Sequence, residues 1–285
     1  AQVLQNAQTI LDKVKIYEIS IAAQTSQGKM LEAIAIGRRA LLQLGVELPT
    51  SPDESLISKA LQTLGSKLQD RQTEELVDLP LMTNSQTQAA MQLLRRLVTP
   101  IFQGMPSLTP LLGSMMVSLS LQFGNAPTSS VGYAIHGMVL CGFLGEVKTG
   151  YGFGKLALNL LEQFNVQEFK SIILILFGAF IQHRQESLRA MIPMQKDGYT
   201  AGMETGDFMN AGYNMCTYFH AKFFAGVELD TWETELAAYS VVMAQMKEYS
   251  PQAILDITRQ TVQNLTEAVS QPDCLMGTAY DETVM

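Results

Sequence analysis

Apolar residues recur at three- and four-residue spacings along almost the whole chain, the period of amphipathic helices. Val3, Leu4, Ala7, Ile10, Leu11, Val14, Tyr17 and Ile21 form the first stripe, which Gly28 interrupts. GKMLEAIAIGRRALLQLG restarts it and stops at Gly45, a plausible left-handed helix end. A loop with Pro49 and Pro52 follows, and Ser51 or Asp53 is placed to cap a helix from Glu54 to Leu68. Asn84 or Ser85 is placed to cap a helix over Ala89 to Val98, and Pro100, Pro106 and Pro110 punctuate short segments after it. Further helices are expected in LTPLLGSMMVSLSLQFG, VGYAIHGMVLCGFLG, GYGFGKLALNLLEQF, FKSIILILFGAFIQHR and SLRAMIPMQKDG, then over Trp232 to Tyr249 and Ala253 to Val269. No run sustains the period-two alternation that strands of a hairpin would show.

The densest stretch is Tyr199 to Gly226, YTAGMETGDFMNAGYNMCTYFHAKFFAG. It reads as two helices folded back at Thr205-Gly206-Asp207, the first of them short. The same grammar recurs at two other turn glycines. Residues five, nine and twelve after Gly28 are Ala33, Gly37 and Ala40; after Gly145 they are Gly150, Gly154 and Ala157; after Gly206 they are Ala211, Met215 and Tyr218. Small residues on one face let a neighbouring backbone approach closely. This spacing resembles tetratricopeptide-like hairpins, with Tyr17 as the aromatic of the preceding helix. The expected fold is all-α, a tetratricopeptide-like solenoid of antiparallel helix pairs with one core over 1–285. The tail over 271–285 is expected to be polar, partly ordered and mobile unless docked.

Charge narrows the functional classes. The chain has a net charge of −8 and only 16% charged residues, and it lacks the basic patch that nucleic acid requires. Arg38-Arg39 and Arg95-Arg96 are isolated pairs on solvated faces. The three cysteines, Cys141, Cys216 and Cys274, are far apart and odd in number, so they read as reduced thiols of a cytoplasmic protein. The opening VLQNAQTILDKVK is too polar for a secretory signal. The apolar run Ser171 to Ile181 is shorter than the about 18 residues of a membrane span and reads as a buried helix.

Candidate chemistry is sparse. There is no GxxxxGK[ST] loop, no HExxH and no GxSxG elbow. The stretch Gly150 to Lys155 (GYGFGK) is glycine-rich but follows a helix rather than a strand, which favours close packing over a nucleotide site. Cys216 and His220 share a helical face, yet two ligands are too few for zinc. Asp207 and Asp230 read as helix caps, and Glu204, Glu233 and Glu235 as acids at helix starts or turns. No metal or cofactor is expected. The aromatics from Tyr199 to Tyr239 read first as core; the competing reading is a small-molecule pocket within 199–239.

Several phrases taken together point to a family. YEISIAAQTSQGKMLEAIAIGRRALLQLGVELP, LVDLPLMTNSQTQAAMQLL, SLQFGNAPTSSVGYAIHGMVLCG, GYGFGKLALNLLEQF and GYTAGMETGDFMNAGYNMCTYF resemble, in order, the helical region of very large bacterial signalling kinases common in cyanobacteria. In those proteins a serine/threonine kinase and an AAA-type ATPase precede the helical region, and a GAF domain and a histidine kinase follow it. The resemblance runs from about Val14 to the tail. It implies a non-catalytic sensor or scaffold, taken from a larger protein, that contacts neighbouring kinase or ATPase domains or a signalling peptide, with neither nucleic acid nor membrane as partner. No catalytic residue carries over. The residues expected to border a partner or ligand surface are Tyr199, Glu204, Asp207, Tyr213, Tyr218, His220 and Trp232.

Overall fold

A computed structural model describes residues 9–69, 71–266 and 271–283. Val3, Leu4, Ala7 and Val269 of the sequence stripes lie outside the described residues. Helical turns account for 77% of those residues, and there is no strand among them. The chain divides between Val166 and Gln167 into two compact units.

The first unit carries α1 (Ile10–Ser26), α2 (Met30–Gln43), α3 (Glu54–Leu68), α4 (Ser85–Arg96), α5 (Val98–Gly104), α6 (Thr109–Phe123), α7 (Ser129–Val139) and α8 (Val147–Phe164). Local chemistry sets the boundaries. The Asp53 carboxylate accepts the Leu56 N–H at 2.7 Å, and the Asn84 side chain accepts that of Thr87 at 2.9 Å, so each satisfies an orphan donor at its helix start. Arg38 donates to the carbonyls of Leu48 and Pro49, tying the double-proline loop to α2. Buried Asn125 donates to the Leu76 carbonyl at 2.7 Å and accepts from the Tyr133 hydroxyl at 3.0 Å, fastening the 3₁₀ turn Thr73–Asp78 to α7. The α1–α2, α6–α7 and α7–α8 pairs pack as sequence neighbours, while α3 packs on α6.

The second unit carries α9 (Lys170–Phe180), α10 (Leu188–Thr205), α11 (Phe208–Phe224), α12 (Trp232–Met246) and α13 (Tyr249–Thr266). Each helix packs on the next, and α9 and α13 also pack on α11. Ser171 to Gly178 of α9 are all buried, which accounts for that apolar run without a membrane. No helix among the described residues is long and apolar enough to cross one.

The turn-glycine grammar holds in three dimensions. Gly28, Gly145 and Gly206 all have left-handed backbones, with φ of 73°, 70° and 77°. All nine offset residues, from Ala33 to Tyr218, are buried. Gly37 leaves no room for a methyl group, which would sit 2.6 Å from Leu97, and at Gly150 it would meet the Cys141 sulfur and the Gly137 carbonyl. Gly150, Phe153 and Gly154 of GYGFGK therefore lie on the packing face of α8.

One expectation needs correction. The first helix of the Tyr199–Gly226 hairpin is not short, because α10 starts at Leu188 and runs through Pro193 and Gly198. A side chain at Gly198 would collide with Asn214 of α11, so glycine is the residue that lets the two helices pack there. Residues 271–283 of the tail lie docked on α13. Asn264 of α13 donates to the carbonyls of Pro272 (3.2 Å) and Cys274 (2.7 Å), and the Gln260 carbonyl oxygen accepts the N–H groups of Ala279 and Tyr280.

Candidate functional site

The residues singled out from the sequence all fall in the second unit, around α10, α11 and α12. Trp232 opens α12 and is 1% exposed, with its ring centroid 5.7 Å from that of Phe219. Tyr218, also buried, sits edge-on to Phe219 at 5.1 Å. Tyr199 of α10 is half-buried and meets Tyr239 of α12 edge-to-face at 5.0 Å, an arrangement favoured by the ring quadrupoles. The structure thus brings Tyr199, Tyr218 and Trp232 into one aromatic cluster, completed by Leu236, Met243, Leu255 and Val262.

Glu204 and His220 point elsewhere and are exposed, and Asp207 and Tyr213 are half-buried. Asp207 occupies the N-cap position of α11, but its side chain makes no capping bond; both carboxylate oxygens accept from the Asn210 amide, at 3.0 and 2.9 Å. Asp230 does not cap either, since Thr231 holds that position in α12 and Asp230 is exposed. Cys216 and His220 do not form a ligand pair. The Cys216 thiol is buried against the Pro251 carbonyl, and burial pushes its pKa up to about 12. No group of residues suited to a metal ion occurs among the described residues.

Lys222 is the residue that sequence reasoning missed. Its side chain is 10% exposed and its ammonium lies 4.6 Å from the Trp232 ring centroid, 4.9 Å from Tyr218 and 5.1 Å from Phe219. The Glu235 carboxylate accepts from it at 2.9 Å and from the Tyr218 hydroxyl at 3.3 Å. Burial, then the Glu235 charge, raises the Tyr218 pKa to about 12, so the phenol stays protonated and donates. A desolvated cation needs both an anion and polarisable faces, and this cage supplies them. The spacing shows that Lys222 follows Tyr218 by four and Phe219 by three on one helical face, but not that Glu235 and Trp232 close over it.

Glu233 is likewise engaged, accepting from the Arg259 guanidinium and from Gln263, while Ser240 donates to Asp256 at 2.5 Å. These pairs fasten α12 to α13. A second polar set lies under the hairpin. Asn214, fully buried, donates to the Ser171 carbonyl at 3.0 Å and the Asn210 carbonyl at 2.8 Å, linking α11 to α9. The site is therefore a latched helix packing; Glu204, His220 and Phe224 are each exposed, Phe224 by 73%.

Comparison with known proteins adds context. Over 116 residues, 40% of this chain, the sequence is 30% identical to hybrid signal transduction histidine kinase G of Dictyostelium discoideum. That relative is a signalling kinase. The matched stretch spans 3% of its length. No protein-family model matches the chain, and no solved structure matches it significantly.

Proposed function

We propose that this chain is a non-catalytic interaction module of a multidomain signalling kinase, built as a tetratricopeptide-like solenoid. The observation that carries the reading is the similarity to a hybrid signal transduction histidine kinase. Two features of the chain support it. Three hairpins share one turn-and-face grammar, and in the second unit each helix packs on its successor while α11 also receives α9 and α13, as stacked hairpins do. The carboxylates near the aromatic cluster are also committed: Glu235 to Lys222, Glu233 to Arg259 and Asp207 to Asn210. The first two pairs hold helices together.

In this reading the module acts in the cytoplasm and binds neighbouring kinase or ATPase domains of its own chain, or a signalling peptide. Tyr199, Glu204, Asp207, Tyr213 and His220 border the contact surface, while Tyr218 and Trp232 support it from beneath. The test is to delete this region from the parent kinase and measure autophosphorylation, then add the region back as a separate chain. Deletion should change the rate, and addition should restore it at least partly. An unchanged rate on deletion would count against the reading.

A further inference from the structure

Residues 271–283 lie on α13 and are held there by two side-chain amides. Gln260 and Asn264 stand one turn apart on that helix and are 2% and 6% exposed. The Gln260 amide nitrogen donates to the Asn264 side-chain oxygen at 2.9 Å, which fixes both side chains. What they have left faces the segment. The Gln260 oxygen accepts the N–H groups of Ala279 (3.2 Å) and Tyr280 (3.3 Å), and the Asn264 nitrogen donates to the carbonyls of Pro272 (3.2 Å) and Cys274 (2.7 Å).

Three features separate this contact from ordinary core packing. First, all four bonds go to main-chain atoms. An acceptor and a donor spaced along one face present what the edge of a strand presents, so the pair reads a peptide backbone rather than a side chain. Second, burial is one-sided. The two amides are buried but none of residues 271–283 is, and Met276 is 43% exposed. The segment therefore gains little from the hydrophobic effect and offsets its ordering entropy mainly with hydrogen bonds, as elements that open locally do. Third, the segment carries its own shape. Gly277 donates to the Tyr280 carbonyl at 3.0 Å and Glu282 to that of Leu275 at 2.9 Å, closing a small hairpin. A Cβ at Gly277 would collide with the Gln260 amide, so glycine sits where the hairpin comes closest to the pair.

We propose that Gln260 and Asn264 form a backbone-reading peptide site on α13, with residues 271–283 as its exchangeable strap. A peptide that offers the same hairpin, with glycine at the closest approach, displaces the strap and occupies the site. The strap limits access: closed in about nine molecules of ten, it lowers apparent peptide affinity about tenfold. The inference concerns α13 and its strap alone and does not depend on the signalling reading.

The probe is a labelled peptide of residues 271–283, its cysteine kept reduced, titrated into the full chain by fluorescence anisotropy. Gly277→Val in the chain keeps the strap from closing and leaves α13 unaltered. A tether holds its segment at roughly millimolar local concentration, so a strap closed about nine-tenths of the time corresponds to a peptide Kd of about 0.1 mM. The Gly277→Val chain should bind the peptide near that value and the unaltered chain about tenfold more weakly. A peptide carrying the same Gly277→Val change should bind neither. Hydrogen exchange on the unaltered chain needs no variant: the Ala279 and Tyr280 amides should exchange at least about a hundredfold faster than those of Leu255 and Val262. No saturable binding by the Gly277→Val chain, equal binding by the two chains, binding of the altered peptide, or strap amides as protected as those of α13 would each overturn the proposal.

Discussion

Lys222 shows what a single side chain can decide in this fold. Glu235→Ala leaves a cation among three rings with no anion, and truncating one partner of a largely buried pair is expected to cost roughly 3 kcal/mol. Replacing both, with Lys222→Met and Glu235→Leu, should return most of that loss in a urea melt; a double variant as weak as the single one would contradict the account. His136 gives a second residue-scale prediction. Burial pushes its imidazole down from 6.5 to about 4. Between those values the unfolded chain binds a proton that the fold refuses, so stability falls as pH drops through that window, by roughly 3 kcal/mol at most. His136→Gln should flatten the dependence of melting temperature on pH between about 7 and 4.5. A variant with the wild-type slope would show that other groups set it. The sequence spacing placed Tyr218 on the inward face of α11, but a lysine in a helix reads as solvated. Only the partner from α12, thirteen residues away, reveals that Lys222 is caged.

At the scale of the helices, glycines divide into two kinds, and substitutions separate them. Gly206 needs its left-handed backbone but has open space around it, so Gly206→Ala should cost about 1–2 kcal/mol, the conformational penalty alone. Gly202 has ordinary helical dihedrals, but an added Cβ would lie 2.7 Å from the Ser171 hydroxyl, 2.8 Å from the Ala211 methyl and 2.9 Å from the Asp207 carbonyl. Backbone cannot yield as a flexible side chain does, so Gly202→Ala should cost more, roughly 3 kcal/mol, by forcing α10 off α11. Equal effects in thermal melts would refute this division. The three turn glycines and their inward offsets were legible because they follow from one helical period. The length of α10 was not, since Pro193 and Gly198 both read as helix breakers. At Gly198 the reason for glycine is tertiary, since Asn214 of α11 fills the space of a side chain. The docked tail was hidden for the same reason: Gln260 and Asn264 look like surface amides until residues 271–283 lie on them.

For the whole molecule, each unit has its own buried core, Ile34, Leu94 and Tyr133 in one and Phe219, Trp232 and Leu255 in the other. Residues 1–166 and 167–285 expressed separately should each give a helical circular dichroism spectrum and a cooperative melt; a molten spectrum from either would show that its core is incomplete. Trp232 is the sole tryptophan, so its emission reports the second unit alone. All-helical architecture could be read from the sequence because periodicity runs almost unbroken. What the helices bind could not, because a partner surface has no period.

The interaction role is the central claim, and Trp232 offers the direct measurement. The purified chain is titrated with the kinase and ATPase domains that the proposed parent protein would carry, while tryptophan-free partner variants leave Trp232 as the only emitter. The account predicts a saturable change in emission with at least one of these domains, weakened by Glu204→Lys or His220→Glu, both at exposed residues. No saturable complex with any of them, by emission or by calorimetry, would contradict it.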